Sequence, residues 1–198
     1  MFVSFEGGDG AGKSTQIDMT STALRAMGHT VVCTREPGGT KTGKEIRNLL
    51  LHGDDMGPRT EALLFAADRA HHVETVIRPA LDAGSIVLTD RYVDSSLAYQ
   101  GAARLLGLED VWNINMWGTQ NLVPDKTILL DLDPVIGRSR LEEKKDRLEE
   151  AGSQFHAQVR EQFLKLAEND PQRFVVIDAA AGPDVISAQI LAVLSDEL

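Results

Sequence analysis

Met1-Phe2-Val3-Ser4-Phe5-Glu6-Gly7-Gly8-Asp9-Gly10-Ala11-Gly12-Lys13-Ser14-Thr15-Gln16 is the stretch on which the fold turns. Phe2–Phe5 is a short apolar run that suits a buried strand. Gly7 to Ser14 then satisfies G-x-x-x-x-G-K-[ST] with no gap or substitution, and an amphipathic helical pattern begins at Lys13. Strand, glycine loop and helix in that order form a phosphate cradle. Glycines let the backbone curl until successive amides point inward at phosphate oxygens. The helix directs its positive end to the same place. Lys13 brings a cation to the β/γ-phosphates, and the Ser14 hydroxyl is the expected oxygen ligand for Mg²⁺. Gly7, Gly8, Asp9, Gly10, Ala11, Gly12, Lys13, Ser14 and Thr15 are therefore the expected seat of a nucleoside triphosphate.

Working outward, four more apolar runs follow: Thr30–Cys33, Ser85–Thr89, Thr127–Leu132 and Arg173–Ile177. Longer helical patterns separate them. These cover Ser14 to Met27, stopped by Gly28, a stretch near Thr42–Leu51, and Leu108 to Gly118. Between them Arg59 to Arg78 carries an apolar stripe of Leu63, Ala67, Ala70, Val73 and Ile77, its end disturbed by Pro79. A charged run from Arg138 to Arg147 precedes a long helix through Phe155, Val159, Phe163 and Leu166, and Val185 to Leu194 closes the chain. Strands alternating with helices imply βαβ crossovers and a parallel sheet covered on both faces, a three-layer α/β/α arrangement. No linker or repeat divides residues 1–198, so one doubly wound domain is expected.

Of the 198 residues 42% are apolar and 25% charged, which fits a globular chain with a proper core. Cys33 is the only cysteine, which excludes an intrachain disulfide and a cysteine zinc cage. No basic segment stands ahead of a long apolar run, and no stretch approaches the ~20 apolar residues that span a bilayer, so a cytoplasmic protein without a membrane partner is expected. The formal charge of −10 argues against nucleic acid as a partner and leaves small anionic ligands open.

Asp90 ends the run Ile86-Val87-Leu88-Thr89, where a carboxylate beside the phosphate loop would join Ser14 in holding the metal. Two classes then compete. A GTPase switch reads guanine with Asn-Lys-x-Asp, which is absent, and Asp54-Asp55-Met56-Gly57 fits D-x-x-G without following a strand. A kinase needs a second anion site. Phe65 and Arg69, four apart on one helix, share a face. On spacing alone they fit a core aromatic and an arginine paired with a neighbouring acid better than a base pocket.

Several further segments resemble the bacterial thymidylate kinase family, and the resemblance spans nearly the whole chain. They are Thr34-Arg35-Glu36-Pro37-Gly38-Gly39-Thr40, Leu64-Phe65-Ala66-Ala67-Asp68-Arg69-Ala70, Asp90-Arg91-Tyr92, Ser95-Ser96-Leu97-Ala98-Tyr99-Gln100-Gly101 and Asp146-Arg147-Leu148-Glu149, beside the phosphate loop itself. The Arg-Glu-Pro-Gly-Gly and Ala-Tyr-Gln-Gly segments make it specific. The resemblance implies the reaction ATP + dTMP → ADP + dTDP with Mg²⁺, a five-stranded parallel sheet with a short lid at about 138–151, and a homodimer packed through helices. Another nucleoside monophosphate kinase, such as a UMP/dUMP kinase, and a non-catalytic nucleotide-binding module are the alternatives.

On matching positions the resemblance implies that Phe65 stacks on thymine, that Arg69 and Gln100 bond its polar edge with Ser96 beside them, and that Tyr99 crowds the sugar 2′ carbon. Arg35, Arg47 and Arg91 are the candidates for the acceptor phosphate, where guanidinium groups suit because they stay charged and grip two oxygens. Asp9 is similar to a family residue at the acceptor sugar or metal, and Glu36 joins that network. Lys13, Arg91, Asp9 and Arg147 are the expected catalytic set. Asp9-Gly10-Ala11 lacks the arginine that some members carry in the loop, so the resemblance points to the lid for that charge. Arg147 is favoured, with Arg140 and Arg138 next. Trp117, where small residues are common, and Gln158, where a base is frequent, depart from the family pattern without touching these positions.

Overall fold

The computed structural model describes residues 1–140 and 152–198. Its strands are β1 (Phe2–Glu6), β2 (Val31–Arg35), β3 (Ile86–Asp90), β4 (Lys126–Asp131) and β5 (Phe174–Asp178). They form one parallel sheet in the order β2-β3-β1-β4-β5. β1 is central and all five of its residues are buried, as a strand covered on both faces must be. Alternation then divides the sheet chemically. Val3, Phe5, Leu88, Ile128 and Leu130 pack on one face against Ile17 and Leu24 of α1 (Lys13–Ala26) and against Ile186, Ile190 and Leu194 of α9 (Pro183–Ser195). The opposite face is mixed. Phe2 and Val87 join Tyr92, Val93, Leu97 and Met116 there, while Ser4, Glu6, Thr89 and Thr127 are buried polar groups. The Ser4 and Thr127 hydroxyls bond each other at 3.0 Å. The functional site lies at the end of this polar face.

Seven further helices complete the described fold: α2 (Lys41–His52), α3 (Pro58–His72), α4 (Arg78–Asp82), α5 (Val93–Ser96), α6 (Leu108–Thr119), α7 (Pro134–Ser139) and α8 (Ser153–Asn169). Two wide π-helical turns, Val73–Ile77 and Leu97–Ala103, prolong α3 and α5. The expected strands and most helices stand within a residue or two of their predicted places, and Gly28 stops α1 with φ 96°.

Two expectations are corrected. The stripe predicted to pack inward along the long helix does so only at its far end: Val73 and Ile77 are buried in the core, but Leu63 and Ala67 are exposed and Ala70 is half-buried. α3 instead buries Glu61, Phe65, Asp68, Arg69 and His72, because its inner face lines a polar site rather than a core. Nor does Pro79 end the helix. The π-helical turn widens the path just before it, and Pro79 falls in the first turn of α4, where its missing N–H is tolerated. The helical path over residues 93–103 is not among the expected helices. Arg138 proves to be helical, within α7, and Arg140 caps that helix. Residues 141–151, with the favoured Arg147, lie outside the described residues.

Candidate active site

The donor end is built by backbone. Gly7, Gly10 and Gly12 all have positive φ (134°, 75° and 91°), which curls the loop between β1 and α1. Any side chain at Gly10 would collide with the Gly137 carbonyl. This explains why the loop carries no arginine there, and it closes that route for supplying charge. The Lys13 ammonium is buried and donates to the Gly7 and Gly8 carbonyls at 3.2 and 2.9 Å. Burial foremost, then Arg91, holds its pKa below the usual lysine value. Ser14 Oγ donates to Asp90 Oδ2 at 3.1 Å, so the two expected metal ligands meet at the loop mouth. Thr15, Ala11 and Gly12 line the same groove, whose far wall is Ala179, Ala181 and Pro183. Arg140 spans it, donating to Gly10 O at 3.4 Å and Ala179 O at 3.2 Å.

Arg91 joins this end to the next. It has φ 70°, a left-handed conformation that costs a non-glycine residue about 1–2 kcal/mol. The turn is held by Glu6, whose Oε1 accepts from the Tyr92 N–H at 2.7 Å and whose Oε2 accepts from Ser95 Oγ at 2.6 Å. Glu6 is fully buried, and burial, helped by nearby Asp94, raises its pKa well above the usual carboxyl range. So aimed, Arg91 donates to Gly7 O at 3.2 Å, to Ser95 Oγ at 3.1 Å and to Asp9 Oδ1 at 2.5 Å. Its guanidinium lies 5.1 Å from the centre of the Tyr99 ring. Burial opposes ionisation of Asp9, but Arg91, Lys13 and His156 outweigh it and hold its carboxyl below the usual range.

Beyond Arg91 a cavity opens, lined by Asp9, Glu36, Arg47, Phe65, Arg69, Arg91, Ser96, Tyr99 and Gln100. Nine of the ten residues expected around an acceptor thus converge from five parts of the chain. Arg35 does not. Side chains alternate along a strand, so the last residue of β2 turns the other way, into an exposed groove with Ser14, Lys44 and Asp90. Arg47 donates to Pro37 O at 3.0 Å.

Arg69, 1% exposed, is held on every side. Nε donates to Glu36 Oε2 at 2.6 Å, Nη1 to Ser96 Oγ at 2.9 Å and to Asn115 Oδ1, and Nη2 to the Tyr92 carbonyl at 2.9 Å. Glu36 Oε1 bonds His72 Nδ1 at 2.8 Å, and His72 Nε2 bonds Thr34 Oγ1 at 2.6 Å. Acid pairing and core packing do not keep either residue from the cavity. Arg69 is paired with an acid and also lines the cavity, and Phe65 packs on Leu50 and Leu51 while facing it. Asp68 Oδ1 accepts from the Gly38 N–H at 3.3 Å, and Oδ2 is buried without a hydrogen bond among the described residues. Burial, then Glu36, pushes its pKa up to about 6. Gln100 Nε2 donates to Glu61 Oε1 at 3.1 Å, and Arg104 Nε reaches the same carboxylate at 3.3 Å.

Sequence reasoning assigns no role to Glu6, Ser95, His72, Asn115 or Glu61. Glu6 and Ser95 stand inside the motif segments and were open to notice. Asn115 is one amide in an apolar helix and carries no such signal.

Two anion-ready pockets that meet at one arginine place the protein among the P-loop phosphotransferases that act on a second small molecule. The family model described as thymidylate kinase matches residues 5–190, and the chain belongs to the thymidylate kinase family. It is 55% identical to the thymidylate kinase of Bifidobacterium longum (strain DJO10A), covering 96% of this chain and 95% of that one. With the thymidylate kinase of Clavibacter sepedonicus it shares 52% identity over 97% and 93%. The solved structure of the Ehrlichia chaffeensis thymidylate kinase superposes with a TM-score of 0.83 at 31% identity, covering 98% of each chain.

Proposed function

We propose that the protein transfers the γ-phosphoryl group of ATP to dTMP, giving ADP and dTDP. The observation that carries this reading is Arg91, whose guanidinium touches the phosphate loop at Gly7 O and lines the cavity that holds Phe65, Arg69 and Gln100. Donor and acceptor phosphates are thereby brought to one charge. Phosphoryl transfer asks for alignment and positive charge more than for covalent chemistry. Lys13 and the loop amides hold the donor phosphates. Arg91 and Arg47 hold the acceptor phosphate, which attacks as a dianion and needs no strong base. Asp9 orients Arg91 and faces the acceptor sugar, whose 2′ position Tyr99 fills. Phe65 stacks on the base, while Arg69 and Gln100 bond its edge, with Glu36 and Ser96 fixing Arg69. Arg147 brings the lid charge.

Mg²⁺ fits the residues present. Ser14 and Asp90 offer a hydroxyl and a carboxylate oxygen side by side, and no group of three or more His, Cys, Asp or Glu side chains placed to hold a metal occurs among the described residues. That donor set suits a hard cation shared with substrate phosphates. When bound, it would supply charge neutralisation to the donor phosphates.

The homodimer reading draws support from the outward side of α3 and α6. Leu63 is 53% exposed and Trp117 84% exposed, an apolar surface suited to a second copy of this chain. Residues 1–198 act as one domain with a lid near 138–151. No helix among the described residues is long and apolar enough to cross a membrane; we place the protein in the cytoplasm.

An ADP-release assay with dTMP, dUMP, UMP, dCMP, AMP and GMP as acceptors tests the reading. dTMP should rank first, dUMP second, and the purines near background. A preference for UMP over dTMP overturns it.

A further inference from the structure

We infer that Glu61 decides which base the acceptor cavity admits, by fixing which way round the Gln100 amide sits. The inference rests on the reading of Phe65, Arg69 and Gln100 as the base subsite.

Glu61, Phe65 and Arg69 follow one another at intervals of four along α3 and so lie on one face. Glu61 is 1% exposed and Gln100 2%. A glutamine side chain is ambivalent, since a half-turn of its amide exchanges a donor for an acceptor. A carboxylate is not, because it only accepts. With Gln100 Nε2 donating to Glu61 Oε1 at 3.1 Å, the amide NH₂ is committed to that side. Arg104 reinforces the choice, reaching Oε1 with Nε at 3.3 Å and Oε2 with Nη2 at 3.4 Å. The guanidinium is itself seated 4.9 Å from the centre of the Phe155 ring. Turning the amide over would set a carbonyl oxygen against a carboxylate oxygen in a buried place.

Gln100 Oε1 therefore belongs to the cavity. It has no hydrogen bond among the described residues, although the side chain is almost fully buried and lines the pocket. Arg69 lines the same cavity and, as a guanidinium, only donates. Four of its five N–H groups bond Glu36, Ser96, Asn115 and the Tyr92 carbonyl, leaving one on Nη2. The subsite thus presents an acceptor beside a donor. This pattern is complementary to a ring N–H next to a carbonyl, the imide edge of a 4-oxopyrimidine. It is mismatched to a ring nitrogen lone pair next to an amino group, the edge of a 4-aminopyrimidine. Arg69 and Gln100 touch the base; Glu61 acts through Gln100 and is a positioning residue that sets specificity.

Glu61→Gln tests this, since a carboxamide accepts or donates and frees Gln100 to turn. Binding of dTMP and dCMP by calorimetry, beside kcat and KM for each, gives the readout. The dTMP:dCMP preference should fall by about tenfold or more, because hydrogen-bond complementarity rather than shape carries it. The change should appear in acceptor binding and KM more than in kcat, with ATP KM held. Should Glu61→Gln fail to fold, Glu61→Met, which leaves Nε2 equally uncommitted, carries the same expectation. A variant that binds both nucleotides more weakly in equal measure overturns the inference, as does a native protein that binds dCMP as well as dTMP. A native protein that prefers dTMP in binding but transfers no phosphoryl group overturns the proposed function alone and leaves the inference to the binding ratio.

Discussion

The donor and acceptor ends of the site are held in opposite ways. At the donor end, main-chain curvature and amides do most of the work, and one continuous segment, Gly7 to Thr15, supplies them. At the acceptor end the main chain recedes. Arg69 is fixed by Glu36, Ser96, Asn115 and Tyr92, partners separated from it by up to 46 residues. A backbone cradle is local and tolerant of its surroundings. A cage of side chains is assembled only when several elements have docked, and each member depends on the others. The donor end should therefore respond to substitution in charge and rate, and the acceptor end in base affinity and selectivity.

The contrast is broken most severely at Arg91, which touches the phosphate loop and lines the cavity beyond it. Arg91→Ala should lower kcat by ~10²–10³-fold, as for loss of one preorganised donor at a transition state, and raise KM for ATP and dTMP together. If only one KM moves, Arg91 belongs to one end and the division is sharper than drawn. Arg147→Ala should lower kcat by at least about tenfold with binding of both substrates nearly intact, the pattern of an interaction made mainly in the transition state. Arg147→Lys should rescue poorly, since a point charge does not span two phosphate oxygens. Native turnover in Arg147→Ala would transfer the role to Arg140, which already spans the donor groove.

Phe65→Ala addresses the acceptor end alone. Base stacking on an aromatic ring contributes ~1–3 kcal/mol, so dTMP should weaken by about five- to 150-fold while ATP affinity holds. Collapse of both would make Phe65 a plain core residue. The smallest effect is expected at Asp68. Its carboxyl is raised from 3.8 to about 6, so the folded protein binds a proton there that the unfolded chain releases. Its contribution to stability is present at low pH and is lost as pH rises from about 4 through about 6. Asp68→Asn should accordingly gain on the native chain across that window in denaturant melts and gain nothing further above it. A difference that stays flat with pH refutes the assignment.

The same contrast explains what could be read beforehand. The phosphate loop was legible because its chemistry is contiguous, and the strands because a sheet buried on both faces demands apolar runs. Of the proposed acceptor residues, Phe65 and Arg69 were suggested by spacing, and the others were reached only through family resemblance. Hydrophobic periodicity even pointed the wrong way on α3, where Leu63 and Ala67 face outward and Glu61, Asp68 and Arg69 face in. Arg35 stands apart for a simple reason: one residue along the chain reverses a side chain, so Arg35 lines the exposed groove while Glu36, also expected at the site, turns into the cavity. Asn115 and His72 emerged only from tertiary packing.

Tyr92 carries a consequence of its own. Its N–H is bound by Glu6 on the donor side, its carbonyl accepts from Arg69 on the acceptor side, and its phenol donates to the Leu122 carbonyl at 3.0 Å. One residue is thus a rivet between the two pockets, and the span from one to the other is fixed by covalent bond lengths rather than by the settings of long side chains. Thermal jostling should then move both pockets as one piece, which suits a reaction whose two oxygens must stay in line. Hydrogen exchange offers the gauge: the Tyr92 amide should open only with the whole protein, while exposed loop amides exchange through local fluctuations.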